Sequence, residues 1–312
     1  MLDVLAITTP IFLLIALGYV AVMGGVVTRE HVQGIGRLVV NFALPALIVR
    51  SLSQHPLPEM FNAHYLLAYG LGSLAMLAFG LALARFQRRQ LTHGAIMAMG
   101  MGTANSGFIG YPIAAMVIGP KAGIALALCM LIENMVMIPL SLALAEAGRQ
   151  QGLSVSRTIM TTLQRLVRNP VILSIIVGAL ISLSGMDIPT PLYKALDMLA
   201  NASAPAALFV IGGTLYGLKV QGMYRDVGQI TLAKLVLHPL LVLLGFQLFP
   251  VADTTLMMGA LIIASAPMLS IYPIFGVRFS MDGLCAAALL AASVVSFFTI
   301  STVLWLLPSS GA

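Results

Sequence analysis

Ten long apolar runs, separated by short polar connections, set the pattern of this chain: Val4–Met23, Val32–Leu52, His64–Ala84, Ala95–Ile118, Gly123–Ala145, Pro170–Ser184, Tyr193–Gly217, Val227–Phe249, Thr254–Gly276 and Leu284–Leu307. A bilayer core of about 30 Å takes about 20 residues of helix at about 1.5 Å each, and these runs have that length. Membrane β-barrels instead alternate apolar and polar positions over about 10 residues, whereas these runs are continuous. The pattern therefore predicts an all-α integral membrane protein with ten transmembrane helices. The first run opens with Asp3 where a signal peptide carries Lys or Arg, and no small-residue cleavage site follows, so it counts as a span.

Conformationally special residues recur at a near-constant offset. Pro10 and Gly18 return as Pro170 and Gly178, and Asn41 and Pro45 return as Asn201 and Pro205, each 160 positions on. The triplet Tyr111-Pro112-Ile113 returns as Tyr272-Pro273-Ile274, shifted by one further residue. Internal repetition of this kind, with five spans per copy, requires the second copy to sit upside down in the membrane, because the chain enters the two copies from opposite sides. The expected organisation is a first five-helix repeat over 1–145, a cytoplasmic linker over 146–169 and a second, inverted repeat over 170–312. Within the linker, Val155, Ile159, Leu163 and Leu166 share a helical face bordered by Arg157, Arg165 and Arg168. It reads either as a helix lying on the lipid surface or as a plain connection.

Composition agrees with burial in lipid: 60% of the 312 residues are hydrophobic and 8% charged, a balance no soluble domain of this size carries. The net charge of +6 reflects topology and not nucleic-acid binding. Arg29, Arg37, Arg85, Arg88, Arg89, Arg149, Arg157, Arg165, Arg168, Lys219, Arg225 and Arg278 fall on odd-numbered connections, while Arg50, Lys121 and Lys194 fall on even ones. Basic residues collect on the cytoplasmic side, so both termini are expected on the non-cytoplasmic side of the cytoplasmic (inner) membrane. Cys129 and Cys285 lie inside apolar runs with no metal-ligand or disulfide spacing, and read as small buried hydrophobes.

The candidate chemistry concentrates in the fourth and ninth runs. Gly100-Met-Gly-Thr-Ala-Asn105-Ser106-Gly107-Phe-Ile-Gly110-Tyr111-Pro112 combines a proline, which removes a helical N–H, with glycines that each weaken a helix by about 1 kcal/mol relative to alanine. Ser265, Pro267, Ser270, Tyr272 and Pro273 make a matching interruption in the ninth run. Broken backbone inside a bilayer is tolerated where protein or a water-filled cavity receives it. A half-helix starting there offers unpaired N–H groups and about half a positive charge, enough to hold a carboxylate without a buried Arg or Lys. The alternative is that these residues only kink two closely packed helices. Asn41 and Asn201, each one turn before a proline, either aim an amide at the same cavity or satisfy nearby carbonyls.

Glu133, beside Asn134, is the sole acidic residue at the centre of a run. A charge there costs about 2.5–3.5 kcal/mol on insertion scales, which makes it a candidate for coupling to a proton or Na+, or else a fixed packing residue. Lys234 and His238, one turn apart, read as a counter-charge or substrate contact, or as a snorkelling lysine. No other cofactor is expected. Enzyme signatures are missing: there is no Cys/His metal spacing, no Gly-x-Ser-x-Gly elbow and no phosphate loop with a lysine.

Asn41-Phe-Ala-Leu-Pro45, Asn105-Ser-Gly-Phe-Ile-Gly110-Tyr-Pro112, Arg168-Asn169-Pro170 and Ala266-Pro267 through Pro273 resemble the auxin efflux carrier family of permeases over nearly the whole chain. The resemblance implies ten spans in two inverted repeats, with broken, crossing fourth and ninth helices. Asn105, Gly110 and Pro112 then fall on one break, and Pro267 and Pro273 on the other. It further implies export or exchange of carboxylates such as auxin, malonate or malate. The expected function is a secondary transporter or facilitator of small organic anions working by alternating access. A homodimer through the first and sixth spans accords with inverted-repeat carriers generally. The rival readings are a sodium-coupled symporter of the bile-acid type and a transport-dead membrane sensor or scaffold.

Overall fold

The apolar runs form helices, and the polar residues at their edges supply the caps. A computed structural model describes residues 2–54, 62–149, 168–185, 188–217 and 223–306, with side chains from residue 9 onward. The amphipathic face expected around residues 155–166 lies outside the described residues. Segment one is Leu2–Met23, segment two Arg29–Ser53, segment three Ala63–Phe86, segment six Pro170–Ser184, segment seven Thr190–Leu215, segment eight Tyr224–Leu248 and segment ten Asp282–Leu306. Among the described residues, six stretches are long and apolar enough to cross a membrane: Arg29–Ser53, Ala63–Phe86, Leu91–Ala147, which holds segments four and five together, Thr190–Leu215, Tyr224–Leu248 and Asp282–Leu306. The protein is therefore all-α and multi-pass.

Helix starts follow local chemistry. Asn62, Asn169 and Asp253 accept hydrogen bonds from the N–H groups of Tyr65 (3.0 Å), Val171 (2.9 Å) and Thr255 (2.9 Å), so donors with no helical partner are satisfied at the segment ends. Four wide turns, with hydrogen bonds closing five residues back, stand directly ahead of a proline. They are Val39–Ala43 before Pro45, Ser106–Gly110 before Pro112, Glu133–Met137 before Pro139 and Ala233–Leu237 before Pro239. The proline ring crowds the carbonyl one turn back, and widening that turn relieves the crowding without ending the helix. Pro205, by contrast, is carried inside the continuous helix Thr190–Leu215.

The segments pack in pairs drawn from opposite halves of the chain: one along seven, six along two, and three along eight. Close approach depends on glycine. A Cβ on Gly18 would overlap the carbonyl oxygen of Phe209 and lie 2.9 Å from its carbon, whereas one on Gly228 meets nothing within 4 Å. Gly18→Ala is expected to lower stability in detergent by about 1–3 kcal/mol, the usual range for overpacking, while Gly228→Ala leaves the unfolding transition in place. Equal behaviour of the two variants in thermal unfolding would contradict this packing.

Ion pairs pin the segment ends. Arg50 of segment two pairs with Asp197 of segment seven, Lys121 with Asp253, Arg89 with Asp226 (3.1 Å) and Arg278 with Glu146 (2.7 Å). Burial pushes the Asp253 carboxyl up, but Lys121 and the Thr255 N–H outweigh it and hold the group below its ordinary value. Outside the bundle, Leu13, Leu17, Ile176, Leu180, Leu248, Phe298 and Trp305 are exposed, an apolar surface suited to lipid and unsuited to water.

Candidate functional site

Two segments are interrupted halfway. Segment four runs as helix over Leu91–Gly102, loses helical form at Thr103–Asn105, and resumes over Ser106–Gly110 and Tyr111–Ile118. Segment nine runs over Thr254–Ser265, is irregular through 266–271, and resumes over Tyr272–Arg278. Pro267 accounts for the second interruption, since it has no N–H to return to the preceding turn. The two breaks touch. The backbone N–H of Asn105 donates to the carbonyl of Pro267 (2.7 Å), and its side-chain amide donates to Ser270 Oγ (2.7 Å).

Each break is braced by a buried charge from a neighbouring segment. Segment five, built from Ala122–Ile132, Glu133–Met137 and Ile138–Ala147, brings Glu133 to the first. Its Oε1 accepts from Ala104 N–H (3.0 Å) and from Tyr69 OH (3.0 Å), and its Oε2 accepts from Ser106 Oγ (2.8 Å). The carboxylate thus satisfies the Ala104 N–H, which the interruption leaves without a helical partner, together with two buried hydroxyls. At the second break, Lys234 Nζ donates to the carbonyl of Ala264 (2.9 Å) and shares a hydrogen bond with His238 Nδ1 (2.8 Å), while His238 Nε2 meets Ser73 Oγ (3.0 Å). A cation beside the last carbonyls of a half-helix, and an anion beside the first N–H groups of another, both complement the helix dipoles. Glu133 and Lys234 are buried and feel one another electrostatically, but among the described residues they form no direct ion pair.

The remaining expected residues divide. Ser265 Oγ turns back to its own helix at the carbonyl of Leu261 (2.7 Å), and Tyr272 OH reaches the carbonyl of Ile96 (2.9 Å). A Cβ on Gly107 would lie 2.7 Å from Leu44 Cδ1, and one on Gly110 would lie 3.2 Å from the Cα of Ile263 in segment nine, so both glycines mark close packing. Tyr111 and Pro112 are buried where the second half of segment four begins, and Pro273 sits in the first turn of Tyr272–Arg278. Asn134 leaves the Glu133 cluster: its amide donates to Met130 (2.9 Å) and its oxygen accepts from Asn169 (3.2 Å). Asn41 and Asn201 are not brought to the breaks. Asn41 is exposed and donates to its own backbone at Arg37 (2.8 Å), and Asn201 joins Arg50 (2.8 Å) and Asp197 (3.1 Å).

Tyr69 and Ser73, the hydroxyls that complete both braces, were not expected from the sequence. Their spacing carried the signal, for Tyr65, Tyr69 and Ser73 stand four residues apart on one buried face of segment three. No group of three or more His, Cys, Asp or Glu side chains able to hold a metal ion occurs among the described residues.

Comparison with known proteins gives this arrangement relatives. The family model described as "Membrane transport protein" matches residues 4–306. A "Putative malonate transporter" of Rhizobium meliloti (strain 1021) is 29% identical over 314 residues, covering 99% of this chain and 97% of that protein. The "Uncharacterized transporter YfdV" of Escherichia coli (strain K12) is 26% identical over 307 residues, covering 95% of each chain. An "Uncharacterized transporter" of Methanothermobacter thermautotrophicus is 24% identical over 234 residues, covering 74% of each.

Proposed function

Since the chain belongs to the membrane transport protein family, and is a transporter and not an enzyme, we propose that it carries small dicarboxylates of the malonate class across the cytoplasmic membrane by alternating access, at the meeting of segments four and nine. The observation that carries this reading is the pair of interrupted helices joined through Asn105, each break braced by one buried charge of opposite sign. Such breaks inside lipid are costly, and a carrier uses them to expose polar backbone to its cargo. The inverted-repeat organisation is supported by the exchanged packing: Gly18 of segment one lies on segment seven, and its counterpart Gly178 of segment six lies on segment two, against Leu52 and Val49.

In this reading Asn105, Ser106 and the surrounding backbone receive one carboxylate of the cargo, and Ser270 holds the Asn105 amide in place. Glu133 already fills the Ala104 and Ser106 donors, so an arriving carboxylate competes with it. Loading and the state of Glu133 are then linked, which makes Glu133 with Lys234 and His238 the coupling group. Both termini lie on the non-cytoplasmic side, and the outward faces of segments one and six form the homodimer contact.

The test is flux in proteoliposomes with malonate, succinate, malate and acetate, under sodium and pH gradients imposed separately. Saturable malonate flux that follows the pH gradient is the expected result. Flux dependent on sodium alone favours the bile-acid type of symport, and saturable binding with no flux of any of the four favours a sensor.

A further inference from the structure

A polar cavity lies away from the breaks, at the ends of segments four, five and nine. It measures about 700 Å³ and is bordered by Gln90, Thr92, Gly148, Arg149, Phe279 and Ser280. All of these stand on odd-numbered connections or at their edges, the face that the basic bias gives to the cytoplasm. Two guanidinium groups share one aromatic ring there: the Arg149 and Arg278 carbons lie 5.6 and 5.7 Å from the centre of Phe279. Among the described residues one carboxylate is paired with them, Glu146, which meets Arg278 at 2.7 Å.

Among the described residues the Arg149 side chain makes one hydrogen bond, from Nη1 to the carbonyl of Arg278 (2.9 Å). It takes part in none of the ion pairs among the described residues. The following sequence cannot neutralise it, since no Asp or Glu occurs between Glu146 and Asp187, while Arg157, Arg165 and Arg168 add charge of the same sign. Four of its five side-chain N–H donors have no partner among the described residues, and they lie in a planar fork matched to carboxylate geometry. Two cations gathered around a single anion repel one another, and a bound anion at the cavity relieves that repulsion.

We propose that this cavity is a cytoplasmic vestibule that captures the anionic cargo on Arg149 before it reaches the central breaks. The inference rests on the transport reading above. Its geometry favours a route: the cavity is floored by the first half of segment four, whose 12 residues rise from Leu91 to Gly102 and span about 18 Å to the Asn105 break. Segment five, which carries Glu133 at its middle, ends at the same cavity. An anion on Arg149 therefore lies at the ends of segment four, which carries one break, and of segment five, which carries Glu133. The second source of such an anion is a lipid headgroup, which presents the same chemistry at this depth.

The experiment uses full-length protein, oriented in liposomes, with malonate supplied from one face at a time. Arg149→Gln is expected to raise the cytoplasmic-side KM about tenfold with kcat within about twofold, and to leave the KM from the other face unchanged. Arg149→Lys keeps the charge but not the fork, and is expected to fall between. Wild-type cytoplasmic KM should rise with ionic strength, and in Arg149→Gln this dependence should flatten. An unchanged cytoplasmic KM, or an equal rise on both faces, overturns the vestibule. Repeating the assay in phosphatidylcholine alone removes anionic headgroups. An Arg149→Gln defect that disappears there assigns the cavity to lipid and also overturns it. A fluorophore on Ser280→Cys separates this proposal from the transport reading. A malonate response lost in the added Arg149→Gln variant keeps the vestibule even where wild-type flux is absent, and no response in a chain that transports malonate removes it.

Discussion

Glu133→Ala should be the most damaging single change in the chain, lowering stability by about 3 kcal/mol or more, since three buried donors lose one acceptor, and reducing flux to background. The loss has two parts. Tyr69 OH, Ala104 N–H and Ser106 OH lose their acceptor together, and a buried donor left unsatisfied costs about 1–3 kcal/mol. Lys234 also loses the charge that offsets its burial. Glu133→Gln separates geometry from charge. The amide oxygen can keep the Tyr69 and Ala104 donors, and the Ser106 hydroxyl can rotate to accept from the new NH2, so the interruption remains braced. That variant is expected to fold, to unfold at nearly the wild-type temperature once Lys234→Met is added, and to carry malonate at least about 100-fold more slowly, which is about 2.7 kcal/mol of lost barrier lowering. Wild-type flux in Glu133→Gln would mean that the carboxylate serves packing alone and that coupling lies elsewhere.

The same residues explain how far the sequence could be read. Segment lengths were legible because lipid imposes them: a backbone with no water around it must satisfy itself over about 20 residues. Segments four and nine were legible as sites of interruption, but for unequal reasons. Pro267 stands inside the irregular stretch and causes it directly. Pro112 stands beyond the irregular stretch at Thr103–Asn105 and explains only the wide turn before it. The interruption at Ala104 is completed by Glu133, 29 positions away, and no local rule connects the two. The wide turns ahead of Pro139 and Pro239 follow the same local rule as those ahead of Pro45 and Pro112, and they re-aim Glu133 and Lys234 where each side chain is needed.

Rotational placement was the part beyond local reading. In a helix that is apolar on all sides, periodicity does not say which face meets protein and which meets lipid. Asn41 illustrates this: one turn before a proline, it is turned outward and satisfied by the carbonyl of Arg37. Asn105 has a similar polar amide in an apolar run, yet it is buried and bridges to another segment. Packing partners distant in sequence separate the two cases.

Asn105→Ala should abolish malonate flux while leaving the fold intact, and the comparison with Ser270→Ala decides why. The substitution removes one neutral hydrogen bond, from the amide to Ser270 Oγ, worth about 0.5–1.5 kcal/mol net. The backbone bond from Asn105 N–H to Pro267 survives, so the two interruptions stay joined and thermal unfolding should shift by a few degrees at most. A flux loss of about 100-fold exceeds what one such bond supplies, and so requires that the amide act on the cargo as well as on Ser270. Ser270→Ala removes the same bond but leaves the amide free to donate to a carboxylate. If Asn105 binds cargo, Ser270→Ala retains most of the flux and does not weaken the half-saturation for malonate. If Asn105 only clamps segment four to segment nine, the two variants lose flux equally, and a double variant loses no more than either single one. Asn105→Asp adds a sharper contrast, because a carboxylate in place of the amide repels a dianion more than a monoanion, while a pure clamp is indifferent to cargo charge. Equal residual rates for malonate and acetate in Asn105→Asp would place the cargo's carboxylate away from this residue.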